Sequence, residues 1–342
     1  MAVAFNLPRY PLAFLPTPLH PLPRLSASFH ARGAGGPVSN FQLWIKRDDQ
    51  TGLAGGGNKT RKLELLLAEA LDQGCDTLVT TGAVQSNHCR QTAAAAACAG
   101  LACHLVLGGQ PPTHPNGNFL LDRLLGAELH WTTRENRLNR LQELVDELRA
   151  MGRRPYFITY GGSDPVGASG YALAMAELYD QASALNLRLD ALVVASSSGG
   201  TQAGMIAGAR ALDWDVPILG ISIDEPQAGL QAKVADLATR TATHLGRTDV
   251  FTPEEVRVDA GYLGGGYGVV GDLEREAIRL MAQAEGILLD PVYTGRAFGG
   301  MVDLLRSSPD TLASPDGADP ANILFWHTGG QPALFAYAED LI

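Results

Sequence analysis

Gly55-Gly56-Gly57-Asn58-Lys59-Thr60-Arg61-Lys62 is the stretch on which the reading of this chain turns. A glycine-rich turn ends in Asn58, and the residues after it open a helical pattern over 60–73. Cations are unfavourable at the positive end of a helix dipole. Lys59, Arg61 and Lys62 crowd there all the same. Either they face an anion, or one of them is held as a reactive amine. A lysine on a close-approach glycine turn suits a Schiff-base nucleophile. An isolated stretch of this kind also fits a solvated basic turn, so its surroundings decide.

Outward from it, short apolar runs alternate with longer helical patterns. Strands are expected at 43–46, 77–81, 104–107, 129–131, 156–160, 192–195, 218–222, 286–289 and 323–327. Helices are expected at 60–73, 87–99, 117–125, 135–151, 168–185, 202–212, 228–245, 271–285, 296–306 and 332–338. This alternation implies an α/β protein with largely parallel sheet covered by helices. Ligands of such sheets bind beyond the carboxyl ends of the strands. The polar motifs of this chain follow its strands.

The bulk numbers narrow the class. A chain of 342 residues is long enough for two domains. Its net charge of −10 argues against nucleic-acid partners and against an anionic membrane surface. No apolar run approaches a membrane span. The four cysteines show neither C-x-x-C pairing nor zinc-finger spacing, so no metal is expected. Six prolines between Pro8 and Pro23 forbid the amphipathic helix of a transit peptide. Residues 1–37 therefore read as an extended arm on the folded body, and the compartment as cytoplasmic.

Gln85-Ser86-Asn87-His88 lies between the strand 77–81 and the helix 87–99. A helix cap needs one such side chain, and four polar residues in a row exceed that need. Ser196-Ser197-Ser198-Gly199-Gly200-Thr201 leads from a strand into a helix, where small residues and free N–H groups suit a phosphate. Asp290-Pro291-Val292-Tyr293-Thr294-Gly295 and His327-Thr328-Gly329-Gly330 follow late strands. Tyr293 can stack on a planar ring, and Thr294 and Thr328 offer neutral hydroxyls. Gly266-Tyr267-Gly268-Val269-Val270-Gly271 matches G-x-G-x-x-G before a helix and keeps a dinucleotide site, and so a nicotinamide-dependent dehydrogenase, open. The segment 256–265 before it is a poor buried strand, which counts against that reading.

Together these motifs resemble the pyridoxal-phosphate enzymes of fold type II, in the branch of 1-aminocyclopropane-1-carboxylate deaminase and D-cysteine desulfhydrase. The resemblance runs from about Leu43 to Tyr337, with the motifs in family order. It implies a tryptophan synthase β-like fold with two open sheets. A larger cofactor domain would comprise 1–60 and 162–342, and a smaller one 61–161. The cofactor would be pyridoxal 5'-phosphate, and the assembly a homodimer. By this likeness Lys59 bonds covalently to the cofactor, and Asn87 bonds its phenolic oxygen. The Ser196–Thr201 loop, with Ser198, Gly199, Gly200 and Thr201, holds the phosphate. Tyr293 packs on the ring, Thr294 and Thr328 lie toward its nitrogen, and Ser86 and Tyr267 face the substrate. Ser86, Asn87 and His88 at the helix start would seat the substrate carboxylate.

In the ring-opening deaminases Glu stands at the position of Thr294 and Leu at that of Thr328. The two threonines here follow the desulfhydrase pattern. The implied reaction is α,β-elimination on a small amino acid, with D-cysteine giving pyruvate, sulfide and ammonia. Lys59, Ser86 and Tyr267 are the candidate bases for the α-proton. An L-cysteate sulfo-lyase and a 1-aminocyclopropane-1-carboxylate deaminase are the related alternatives.

Overall fold

A computed structural model describes residues 5–30, 41–312 and 320–342. In chain order its elements begin with β1 (Leu19–Pro21), α1 (Pro23–His30), β2 (Phe41–Arg47), α2 (Lys59–Asp72) and β3 (Thr77–Ala83). There follow α3 (Asn87–Ala99), β4 (Ala102–Gly108), α4 (Gly117–Leu124), β5 (Glu128–Thr132), α5 (Arg137–Ala150) and β6 (Pro155–Phe157). Next come α6 (Pro165–Ala184), β7 (Ala191–Ser196), α7 (Gly200–Ala211), β8 (Ile218–Ser222) and α8 (Gln227–His244). The chain closes with β9 (Arg257–Asp259), α9 (Asp272–Glu285), α10 (Thr294–Ser307), β10 (Ala321–His327) and α11 (Ala338–Leu341).

Two sheets result, one of six strands in the order β1-β2-β10-β7-β8-β9 and one of four in the order β5-β4-β3-β6. Every pairing is parallel except β1 with β2. The inner strands read as continuous apolar runs because helices cover both faces. In the larger sheet Leu43, Ile45, Val193, Ile323 and Phe325 face one core with α10, while Leu192, Val194, Leu324 and Trp326 face another. In the smaller sheet Leu78, Leu105 and Leu107 pack with Leu63, Leu66 and Leu67 of α2.

Three sequence expectations are corrected. Gly286–Leu289 is not a strand. It joins neither sheet, and Leu288 points outward while Ile287 and Leu289 are buried. The sheet edge goes instead to β9, three residues on the side of β8. An edge strand that short needs no unbroken apolar run. The N-terminal arm is not extended throughout. It lies on the body through Tyr10 N–H to the Glu64 carbonyl and Phe14 N–H to the Thr51 carbonyl, both 2.9 Å. Beyond β1 it winds into α1, whose first residue is the last proline of the series, where proline is tolerated. The expected helix 332–338 is a 3-10 turn, Gln331–Ala336, followed by α11.

Candidate active site

A pocket opens where the carboxyl ends of β3, β7 and β10 meet the glycine turn before α2. Lys59, the first residue of α2, lies on its floor. The turn beneath it requires glycine. Gly56 has φ +70°, and a Cβ there would come within 2.0 Å of the Asp49 carbonyl oxygen. Arg90 of α3 donates to the carbonyls of Ala54 (2.6 Å) and Gly56 (3.0 Å), and Asn58 N–H donates to the Thr328 carbonyl (2.9 Å). The turn is thus pinned from both sheets. Burial lowers the Lys59 amine to about 8.

The other two cations have different roles. Arg61 grips Asp48 (2.8 and 2.9 Å) and Glu177 (2.9 and 3.0 Å) inside the protein and does not line the pocket. Lys62 is buried behind the pocket and donates to the Gly161 carbonyl (3.1 Å) and Ser163 Oγ (3.3 Å). Burial and the neighbouring Lys59 hold its amine well below the usual lysine range.

The start of α3 forms the second wall. Ser86 caps the helix, accepting from Cys89 N–H at 3.2 Å. It is an ordinary cap that also faces the pocket. Asn87 Oδ1 accepts from Asn118 Nδ2 at 2.8 Å, which turns the Asn87 NH2 group away from that bond and leaves it as a donor. His88 is also oriented. Thr80 Oγ1 donates its single proton to the Ile158 carbonyl (2.9 Å), so it accepts from His88 Nε2–H (2.9 Å). His88 Nδ1 is then a bare, buried acceptor without a partner among the described residues. Burial, then Lys59 and Lys62, keep the ring neutral.

The loop after β7 is the third wall. Ser197, Ser198, Gly199 and Thr201 line it, and Ser196 Oγ is buried without a partner. Gly199 is left-handed (φ +82°), and α7 starts with no side-chain cap. Its N-terminus is therefore free for an anion. Ser163 braces the loop through Ser198 Oγ (2.8 Å) and Gly200 N–H (3.3 Å).

Tyr293 and Thr328 complete the enclosure. Three expected residues stand behind these walls. Thr294 is fully buried and its hydroxyl is engaged with Asp290. Tyr267 lines an adjoining cavity and touches the pocket only through Tyr293, hydroxyl to hydroxyl at 2.7 Å. Gly200 packs against Ser163 and Lys62, where a Cβ would meet Ser163 Oγ at 2.5 Å and Lys62 Nζ at 2.8 Å. Lys59, Ser86, Asn87, His88, Ser198, Gly199, Thr201, Tyr293 and Thr328 are brought together. Asn118, Tyr160, Gly161 and Ser163 were not foreseen, although Tyr160-Gly161-Gly162-Ser163 follows β6 as the other motifs follow their strands.

Gly266–Gly271 is no dinucleotide turn. The strand before it ends at Asp259, and Arg296 binds the carbonyls of Gly266 (3.1 Å) and Val269 (2.9 Å) from behind.

The residues fit a phosphorylated pyridine aldehyde. A buried amine of lowered basicity faces the pocket, and an uncapped helix start with an unpartnered serine offers a phosphate seat. Tyr293 supplies an aromatic ring and Asn87 a directed donor. No carboxylate lines the pocket among the described residues.

Known proteins agree. Residues 11–329 match the family described as "Pyridoxal-phosphate dependent enzyme". A "Putative 1-aminocyclopropane-1-carboxylate deaminase" of Pyrococcus abyssi is 38% identical over 344 residues, covering 100% of this chain and 97% of the relative. A "D-cysteine desulfhydrase" of Salmonella typhi is 41% identical over 338 residues, covering 97% of each. A crystal structure of an "ACC deaminase homologue" superposes with TM-score 0.85 at 38% identity, covering 98% of this chain and 96% of that one. A threonine deaminase shares the fold with TM-score 0.60 at 22% identity, covering 84% of this chain and 87% of that one. This chain therefore belongs to the pyridoxal-phosphate dependent enzymes, and its full-length relatives are of the 1-aminocyclopropane-1-carboxylate deaminase and D-cysteine desulfhydrase type.

Proposed function

We propose that this enzyme catalyses α,β-elimination on a small amino acid, D-cysteine plus water giving pyruvate, hydrogen sulfide and ammonia. The observation that carries this reading is that, among the described residues, no carboxylate lines the pocket, whose wall includes Thr328 and Tyr293. A neutral hydroxyl does not hold a ring nitrogen protonated as a carboxylate does. The weaker electron sink suits a substrate whose own leaving group removes the electrons.

Pyridoxal phosphate, when bound, supplies the electron-withdrawing ring that acidifies the substrate's α-proton. The protein does the rest. Lys59 would hold the cofactor, and its Nζ is the candidate base for the α-proton. Its lowered basicity leaves roughly a tenth of the free amine neutral at pH 7, far more than an ordinary lysine has. Ser86 and Tyr267 are the other candidate bases, and the Tyr267–Tyr293 hydroxyl pair is a route by which a proton reaches the opposite face. The Ser86 hydroxyl and the backbone N–H groups of Asn87 and His88 at the start of α3 seat the substrate carboxylate. The Ser196–Thr201 loop holds the phosphate, braced from behind by Ser163.

We further read the chain as two domains, 1–60 with 162–342 and 61–161, assembled as a cytoplasmic homodimer. Four free cysteines accord with a reducing compartment. No helix among the described residues is long and apolar enough to cross a membrane.

The test is a side-by-side assay of D-cysteine, L-cysteine, L-cysteate and 1-aminocyclopropane-1-carboxylate on the purified holoenzyme. Sulfide and pyruvate from D-cysteine, at the highest kcat/KM of the four, is the expected result. Faster turnover of the cyclopropane amino acid or of L-cysteate would replace the assignment with that of the corresponding relative.

A further inference from the structure

At the far end of the smaller sheet from the pocket, three metal-binding side chains converge. β4 and β5 run parallel with His104 opposite Glu128 and Val106 opposite His130. Side chains two residues apart share a sheet face. His104 and His130 therefore both stand on the Val106 face, the one covered by α5. Their rings stack at 22° with centroids 5.3 Å apart. His104 lies four residues before the end of β4, ~13 Å from the strand end nearest the pocket.

We propose that His104, Glu128 and His130 form a site for a divalent transition-metal ion such as zinc, separate from the active site, with a solvent-facing coordination position left open. His104 Nδ1 and His130 Nε2 are 3.1 Å apart, and the Glu128 carboxylate oxygens lie 3.7 and 3.5 Å from them. Zinc bonds of ~2.0–2.1 Å in a tetrahedron separate the ligand atoms by ~3.3 Å. The three donors already stand near that spacing. Two imidazoles and one carboxylate are a zinc ligand set, and three protein ligands leave room for water. The Glu128 side chain is 66% exposed, which keeps that position open.

The rings are in the state that a metal needs. Burial lowers the basicity of both, so both are neutral near pH 7. In the metal-free form one ring donates its N–H to the other. Binding requires that this proton move to the outer nitrogen of its own ring, with no charge left behind. The nearby cations are already engaged. Arg140 pairs with Glu147 (2.7 Å), and Arg153 pairs with Asp76 (3.2 Å). The ion would clamp β5, the edge strand of the smaller sheet, onto β4.

The experiment is zinc titration of chelator-stripped, untagged holoenzyme by calorimetry, with bound metal counted after dialysis. Wild type, Cys98→Ser, Glu128→Gln and His130→Ala are compared, because Cys98 is the exposed thiol that could take zinc elsewhere. One zinc per chain is expected in wild type and in Cys98→Ser. Affinity should fall more than about tenfold in Glu128→Gln and His130→Ala. Zinc should raise the unfolding temperature of wild type and not that of His130→Ala, while the cofactor absorbance stays unchanged in all four. Glu128→Gln changes an exposed side chain and keeps the comparison valid if His130→Ala does not fold. Less than one zinc per wild-type chain, or equal affinity in wild type and Glu128→Gln, would overturn the proposal.

Discussion

Thr294 Oγ1 donates to Asp290 Oδ1 at 2.7 Å and accepts from the Asp290 backbone N–H at 2.7 Å. The Asp290 carboxylate also takes the N–H groups of Val292, Tyr293 and Thr294, so it caps the start of α10 and fixes Tyr293 in the pocket wall. Burial raises its pKa, and these bonds oppose the rise. Thr294→Val should leave a buried carboxylate short of a donor and cost about 1–3 kcal/mol of stability in urea unfolding. Thr294→Ser should recover most of it. A Thr294→Val protein as stable as wild type would remove this role.

Thr294→Glu carries the electronic argument further. The new carboxylate would stand beside Asp290, a like charge in a buried site, so one of the two must hold a proton. Elimination from D-cysteine should slow and stability should fall together. A variant that eliminates sulfide at the wild-type rate would show that Thr294 does not influence the cofactor ring.

Lys59→Ala should lose the absorbance of covalently held cofactor and more than about a hundredfold in turnover. Lys62→Ala should keep that absorbance, because Lys62 points to Gly161 and Ser163. The reverse pattern would exchange their roles. The cofactor-free protein gives a second check. A lysine lowered to about 8 from 10.5 is deprotonated in the folded chain before it is in the unfolded one. Between these values the unfolded chain binds more protons, so stability rises with pH. The penalty is full below about 8 and gone above about 10.5. Lys59→Met should therefore stabilise the cofactor-free protein at neutral pH, with the gain fading through that window.

Asn118→Asp tests how Asn87 is aimed. An aspartate can only accept, so it should draw the Asn87 NH2 group to itself and turn the amide oxygen toward the pocket. Cofactor retention through dialysis should fall about tenfold with the fold intact, as one lost hydrogen bond to a charged oxygen predicts. Full retention would show that the Asn87 amide does not donate to the cofactor.

Gly200→Leu should purify with less cofactor than wild type. Its Cβ would press on Ser163 Oγ at 2.5 Å and on Lys62 Nζ at 2.8 Å, displacing both from the loop they brace. A full complement of cofactor in this variant would put the phosphate seat elsewhere.

Much of this arrangement was legible in the sequence. Apolar runs covered on both faces are a strong signal, and eight of the expected strands overlap strands of the two sheets. Motifs that follow strands converge because parallel strands bring their carboxyl ends together. The edge strands of the larger sheet escaped, since β1 and β9 are three residues each with little burial. So did the second layer of the site. Asn118 sits in the expected helix 117–125 outside any motif, and meets Asn87 only through the packing of α4 on α3. The purpose of Arg61 was equally hidden, because its partners Asp48 and Glu177 come from distant segments.

β10 lies between β2 and β7 in the larger sheet, yet it is the last strand to be translated. Until it emerges from the ribosome, β2 and β7 each present an unpaired apolar edge, and the Thr328 carbonyl that anchors Asn58 does not exist. The nascent chain is thus a protein with a gap at its middle, exposed to edge-to-edge association from the synthesis of β7 until that of β10. The pocket wall is complete only once β10 and the turn after it have been made. A premature stop before β10 would leave the smaller sheet whole, split the larger one between β2 and β7, and remove Thr328 from the pocket wall.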